Sequence, residues 1–296
     1  MKTLSYLIRL LSVISIFIVC LGGIFRDDVG EQKYLDLANQ KQFNSVGKVY
    51  NDTTFSGSCV YIHKRFFLTA AHLFIEYDEI PDTIRDEGKT IYTYRAENPH
   101  QVDISNFLIV INGEKLKIKN VIIHPNYLSE ERSCDIALIE VEKKPASVKP
   151  ARLNVDNDEF KSHVVGVGYG SSGPAGRPDL VGSYQKKIAG ENVIDSISGP
   201  EYQGKPTLFY ADFDHSSKDN CNKMGDSTPL PLEYISSGGD SGGGLFREKK
   251  GKWELIGITT GGGIDIQQFY QTFYYGQTAK WTRVSVFKDW IEENIP

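Results

Sequence analysis

The run Gly238-Gly239-Asp240-Ser241-Gly242-Gly243-Gly244 is where this sequence could do chemistry. A serine acts as a nucleophile only if its oxygen is exposed and a base can take its proton. Flanking glycines let the backbone bend tightly and let a substrate approach. They also let neighbouring N–H groups aim at one point, where a developing oxyanion would sit. A base is offered by Thr69-Ala70-Ala71-His72, which follows the apolar run Phe66-Phe67-Leu68. His72 therefore stands at the end of a buried strand, behind two small residues that permit tight packing. The other five histidines lack this setting. An orienting acid is offered by Ser133-Cys134-Asp135-Ile136-Ala137-Leu138-Ile139. Asp135 directly precedes a strand that is apolar on both faces, and a carboxylate tolerates burial there if it accepts from an imidazole N–H. Read singly, His72 is a strand-end residue, Asp135 a turn cap and the glycine run a tight turn. Read together, they are a nucleophile, its base and the group that orients the base.

Chain order separates the protein families that use such a set. Here it runs His72, Asp135, Ser241, whereas α/β-hydrolases run serine, acid, histidine and subtilisin-like enzymes run aspartate, histidine, serine. The sequence resembles the chymotrypsin/trypsin-like serine proteases. Thr69–His72, Asp135–Leu138 and Gly239–Gly243 match that family's three hallmark motifs. Ile123–Tyr127, Gly166–Gly170 and Trp281–Val284 are further matches, and the likeness runs from about residue 45 to the C-terminus.

The resemblance implies an all-β fold of two six-stranded antiparallel barrels with a C-terminal helix. The first barrel would span about 45–145, the second about 155–282 and the helix 284–294, within a protease domain of 26–296. It implies a serine endopeptidase acting on protein or peptide substrates, with no metal or other cofactor. Ser241 would attack the scissile carbonyl, His72 would carry the proton, and Asp135 would fix the tautomer. The N–H groups of Gly239 and Ser241 would form the oxyanion hole. Ile235, Ser236, Thr260, Gly261, Gly262 and Ala279 would line the substrate pocket. Ile235 stands at the pocket base, where trypsins carry an aspartate for Arg or Lys, so an apolar side chain is expected. Glu233 and Asp226 lie close enough in sequence to bring charge if the alignment slips. The alternative is a catalytically inactive protease-like binding module, which the presence of all three residues disfavours. A serine esterase on an unrelated fold is disfavoured by chain order.

The sequence also departs from the family's pattern. Leu73 and Ser237 replace its usual cysteines, and Gly57 stands at the partner position. No Ile-Val-Gly-Gly activation site is present; in typical trypsins a freed N-terminus pairs with the acid before the serine, here Asp240, and Val46-Gly47 is a faint echo. Gly244 replaces a common proline. The spacings are long, 63 residues from His72 to Asp135 and 106 from Asp135 to Ser241. These departures resemble a divergent, bacterial-type branch more than a vertebrate digestive trypsin.

The elements that must position these residues read as short strands rich in β-branched and aromatic residues. They are Val60–Ile62, Phe66–Thr69, Phe107–Ile111, Leu116–Ile123 and Ile136–Val141, then His163–Val167, Ser183–Ala189, Thr207–Phe213, Gly244–Phe246 and Trp253–Thr259. Strands do not alternate with amphipathic helices, which disfavours a parallel sheet and favours sandwich or barrel architecture. Helical spacing is convincing only in Val284–Asn294. Glu76–Gln101 and Asp214–Pro231 read as long polar loops, and Lys144–Asp156 as a connection between halves.

The chain has 296 residues with a formal charge of −5 and 40% hydrophobic residues, an ordinary globular balance that excludes wholesale disorder. A net negative chain has no electrostatic footprint for nucleic acid. Lys2 and Arg9 precede an apolar run to Phe25, so residues 1–25 read as a signal peptide or, if uncleaved, an anchor and the chain's one membrane contact. The expectation is a secreted, periplasmic or cell-surface protein. Cys20 would leave with the signal, and Cys59, Cys134 and Cys221 would remain as one disulfide plus a thiol, or as three thiols. The oligomeric state is not written in the sequence.

Overall fold

In the computed structural model the described residues are 23–86, 89–129, 133–182, 185–217, 221–225, 227–263 and 274–296. Most of the leader, Asp226, and Ser183 of one expected strand lie outside them. Strand β1 (Gly23–Phe25) opens the fold, followed by helix α1 (Glu31–Ala38). All three residues of β1 are buried. Three residues of the stretch read as leader 1–25 thus form a buried strand. The helix was not expected: it is short, and its buried contacts rest on Tyr34 and Ala38, too few to give a clear period.

The first half is a closed antiparallel barrel. Its strands are β2 (Val46–Asn51), β3 (Thr54–His63) and β4 (Phe66–Thr69), then, after a hairpin, β7 (Phe107–Ile111), β8 (Glu114–Ile123) and β9 (Ala137–Val141). The order is β2-β3-β4-β9-β8-β7, closed by β7 pairing with β2. Phe107, Ile109 and Ile111 are buried while Leu108 and Val110 are half-buried, the period-2 pattern of a strand with one face inward. The hairpin is β5 (Ile75–Asp86) and β6 (Lys89–Gln101), which replace the expected polar loop. It forms a compact unit from Phe74 to Val102.

The second half is a seven-stranded antiparallel sheet. Its strands are β10 (His163–Gly168), then, beyond β11 (Ser172–Pro174), β12 (Ile188–Val193), β13 (Ser196–Tyr202) and β14 (Lys205–Asp212). After β15 (Tyr234–Ile235) come β16 (Gly244–Lys249), β17 (Lys252–Gly263) and β18 (Thr278–Arg283). The order is β12-β10-β16-β17-β18-β14-β13, so β13 is a seventh strand beyond the six expected. A separate three-stranded sheet places β1 between β11 and β15. A 3-10 turn, Val284–Phe287, leads into helix α2 (Lys288–Asn294), with Trp290 and Ile291 buried. Among the described residues no helix is long and apolar enough to cross a membrane.

Candidate active site

His72 sits in the 3-10 turn Ala71–Phe74, directly after β4. Ala70 and Ala71 are fully buried, which small side chains allow at a strand end. Thr69 Oγ1 donates to the Ser58 carbonyl of β3 at 2.8 Å and ties the turn down. Asp135 meets His72 twice. Its Oδ1 accepts from the His72 backbone N–H at 3.0 Å, and its Oδ2 lies 2.7 Å from His72 Nδ1. The Thr260 hydroxyl also donates to Oδ2, and the Thr282 hydroxyl donates to the Asp135 carbonyl at 2.8 Å. The His72 side chain is 32% exposed and that of Asp135 14%. One edge of the ring is thus held by a largely enclosed carboxylate while the residue stays open.

The charges of the pair follow from this geometry. Burial works against a charged His72, but the adjacent carboxylate and its hydrogen bond outweigh burial and lift the imidazole above its ordinary range; Lys280 pulls it partly back. Burial works against an ionised Asp135 too. The His72 charge, the bonds from its ring and backbone and the Thr260 hydroxyl outweigh that, and the carboxyl lies below its ordinary range.

Ser241 lies in a turn that docks on both halves. Its carbonyl accepts from Ser58 N–H at 2.8 Å. Gly242 donates to the Thr259 carbonyl at 2.8 Å, and Thr259 N–H returns a bond to the Gly243 carbonyl at 2.9 Å. Thr260, the next residue, is the one that holds Asp135, so the serine turn and the His72–Asp135 pair share one strand end. Gly242 has φ +83°, and a Cβ there would stand 2.0 Å from the Ser58 carbonyl oxygen; only glycine fits. Among the described residues, Gly239 N–H and Ser241 N–H donate to no acceptor within the protein.

Asp240 is almost fully buried. It accepts from Gly170 N–H at 2.9 Å, Ser237 N–H at 3.0 Å and the Tyr234 hydroxyl at 2.9 Å. Burial still pushes its carboxyl up to about 6, against those donors, because no cation among the described residues pairs with it. A Cβ built on Gly23 would stand 3.3 Å from Asp240 Oδ2. Sequence reasoning missed this neighbour. Val46, the faint echo, is instead a buried strand residue of the first barrel. The available signal was the Gly22-Gly23-Ile24 run, hidden by its place inside the apolar leader.

The residues expected to line the pocket divide. Thr260, Gly261 and Gly262 form the end of β17, with Gly261 opposite Lys280 and Gly262 opposite Ala279 on β18. Ser236 is half-buried, five residues before the serine. Ile235 is paired with Ile24 and packed in the second half's core, where Ala279 also lies. Thr278 and Lys280 are half-buried and alternate along β18 with the buried Ala279 and Trp281. Glu233 has both carboxylate oxygens committed, to the N–H groups of Asp214 and Leu230. Cys59, Cys134 and Cys221 are buried and none forms a disulfide with another, and among the described residues no cluster of three or more His, Cys, Asp or Glu could hold a metal ion.

The chain is 27% identical over 240 residues to mouse Transmembrane protease serine 11C, covering 78% of this chain and 46% of the relative. It is 27% identical over 243 residues to human Transmembrane protease serine 11A, covering 78% and 47%. It is 26% identical over 191 residues to CLIP domain-containing serine protease B4 of Anopheles gambiae, covering 61% and 47%. The chain thus spans about half the length of the curated relatives it matches. A family model described as Trypsin matches residues 36–291, which takes in His72, Asp135 and Ser241 along with both halves of the β-fold, and the chain belongs to the trypsin family.

Proposed function

We propose that this chain is an exported serine endopeptidase that cleaves peptide bonds through an acyl-enzyme on Ser241. The observation that carries the reading is the His72 Nδ1 to Asp135 Oδ2 contact of 2.7 Å, made across 63 residues and tied through Thr260 to the serine turn. With Nδ1 bound to the carboxylate, the ring's other nitrogen, Nε2, is the basic one. It takes the Ser241 hydroxyl proton as Oγ bonds to the scissile carbonyl carbon. The carbonyl oxygen gains negative charge, which the N–H groups of Gly239 and Ser241 stabilise. The imidazolium then gives its proton to the leaving amine as the C–N bond breaks. Water repeats the sequence on the ester: His72 takes its proton, the carbonyl carbon gains OH, and Ser241 recovers its hydrogen. Asp135 stabilises the imidazolium without taking its proton. Removing one oxyanion donor raises such a barrier by about 2.7–4 kcal/mol.

Export is supported by the basic and apolar leader and by relatives whose names place them in membranes. Maturation is supported by Gly23. Cleavage after Gly22 would set a new α-ammonium beside Asp240 and supply the missing cation.

The test treats the processed chain and its Ser241→Ala variant with a fluorophosphonate and reads the labelled peptide by mass spectrometry. Labelling at Ser241 in the wild type alone is the expected result. A folded, processed chain that does not label would be a binding module, and labelling at another serine would overturn the assignment.

A further inference from the structure

Among the described residues, one side chain holds Asp240, and the fold is shaped around it. The Tyr234 hydroxyl donates to Asp240 Oδ2 at 2.9 Å. The other two bonds to this carboxylate come from backbone N–H groups, those of Gly170 and Ser237. The Tyr234 ring is buried in a slot left by three glycines on three strands. A Cβ on Gly190 of β12 would stand 2.1 Å from Tyr234 Cβ, one on Gly166 of β10 would stand 2.9 Å from Cε1, and one on Gly23 of β1 would stand 2.7 Å from Cε2. Gly166 and Gly190 are register partners, so they leave the same face of their sheet bare. The ring fits only because those three side chains are missing.

The rest of Tyr234 is fixed as well. Its carbonyl accepts from Asn192 Nδ2 at 3.1 Å, and its strand, β15, pairs with β1 through Phe25 and Ile24. Burial and the Asp240 charge push its phenol far above the ordinary range, so the hydroxyl keeps its proton and donates it to the carboxylate. Such a bond acts on the reacting end of the chain. Asp240 lies between Gly239 and Ser241, whose N–H groups are the donors assigned to the oxyanion. A carboxylate anchored at both oxygens fixes the peptide units on either side of it. Donors that meet a developing charge work best when they are fixed beforehand.

We propose that Tyr234 is a positioning residue for the reaction: through Asp240, its hydroxyl sets the orientation of the Gly239 and Ser241 N–H groups. This rests on the peptidase reading given above and deepens it.

The experiment compares the full chain after maturation with Tyr234→Phe, which removes one oxygen and keeps the ring. Tyr234→4-aminophenylalanine restores a donor at the same place. Tyr61→Phe is the control for loss of a buried hydroxyl, because Tyr61 is buried in the first barrel and donates to the Lys64 carbonyl at 2.9 Å. The readouts are kcat and KM for a peptide amide, the rate of Ser241 labelling by a fluorophosphonate, and the thermal midpoint. We expect Tyr234→Phe to lower kcat by about tenfold or more with KM unchanged, the span of one hydrogen bond to a charged group that is used in the transition state. Labelling should slow in parallel, and the 4-aminophenylalanine variant should recover both. Tyr61→Phe should lower the midpoint and leave kcat in place. On an Asp240→Asn background, Tyr234→Phe should add little to the loss of labelling, because the group it acts through is already altered.

A Tyr234→Phe chain with the wild-type kcat would overturn the proposal, whatever its midpoint. So would a loss of labelling that is as large on the Asp240→Asn background as in the wild type. A chain that loses kcat as much in Tyr61→Phe as in Tyr234→Phe would assign Tyr234 to packing alone and overturn it too. In each of these cases the wild type still labels and cleaves, and the peptidase reading stands. A processed wild type that neither labels nor cleaves would overturn the peptidase reading, and this inference with it.

Discussion

Gly23 rests against Asp240, the residue before the candidate nucleophile, with the position of its absent Cβ 3.3 Å from Oδ2. While residue 22 is attached, that contact brings no charge to the buried carboxylate. The Asp240 carboxyl, pushed up from 3.8 to about 6, then binds its proton more readily in the folded chain than in the unfolded one. Folding stability therefore falls as pH rises through that window, by roughly 3 kcal/mol at about 1.4 kcal/mol per unit. Asp240→Asn in the leader-bearing chain should remove this slope, as urea unfolding between pH 4 and 7 would show.

Maturation should reverse the sign of the same residue's contribution. The mature N-terminus is expected at Gly23 and is read by N-terminal sequencing. Asp240→Asn in the processed chain should then lower Ser241 labelling by hundredfold or more, since breaking a buried ion pair costs about 3–5 kcal/mol. A processed chain that begins elsewhere and still labels fully would refute the pairing.

Much of this is legible in the sequence, and the rest is hidden for physical reasons. Phe66–Thr69 and Phe107–Ile111 match observed strands residue for residue, because unbroken apolar or alternating runs leave few other conformations. His72 and Asp135 were paired on local setting alone, and their 2.7 Å contact joins segments that only the barrel brings together. Strand β1 was unreadable because its apolar residues continue the apolar run that reads as a leader, so no boundary in the sequence marks it off. Strand β13, Ser196–Tyr202, is mostly exposed and carries no apolar pattern.

Activity should depend on pH through His72. Catalysis needs the neutral ring, and the Asp135 carboxylate holds the imidazole above its ordinary value of 6.5 despite burial. The acid limb of kcat/KM for a neutral substrate should therefore lie above pH 6.5. Lys280 opposes this shift, so Lys280→Met should carry the limb to still higher pH. A limb below 6.5 in the wild type, or one that moves down in the variant, would contradict the arrangement.

The three buried cysteines make a separate prediction about export. None of Cys59, Cys134 and Cys221 is joined to another, and burial pushes the Cys59 thiol up, disfavouring the reactive thiolate. The fold therefore should not depend on oxidation. The thermal midpoint of the purified chain should be unchanged by dithiothreitol, and three thiols should titrate after denaturation of the mature form. A midpoint that drops by several degrees under reductant would show a bridge the fold does not contain.

His124 should make the fold less stable in acid. Its ring is fully buried, packed edge-on against Tyr202 and Phe287 and tilted against Trp290, with Nδ1 accepting from Asn126 N–H at 3.3 Å and Nε2 unpartnered. Burial brings its pKa down from 6.5 to about 4. Between those values the unfolded chain binds the proton and the folded chain does not, so stability is complete above pH 6.5 and is lost as pH falls towards 4. The loss from this one ring is roughly 3 kcal/mol at about 1.4 kcal/mol per unit. His124→Asn keeps an acceptor for the Asn126 N–H and cannot take up the proton. It should lower stability at pH 7 through lost packing while flattening the decline between pH 6.5 and 4. An undiminished decline in the variant, measured by urea unfolding across that range, would place the acid sensitivity elsewhere in the fold.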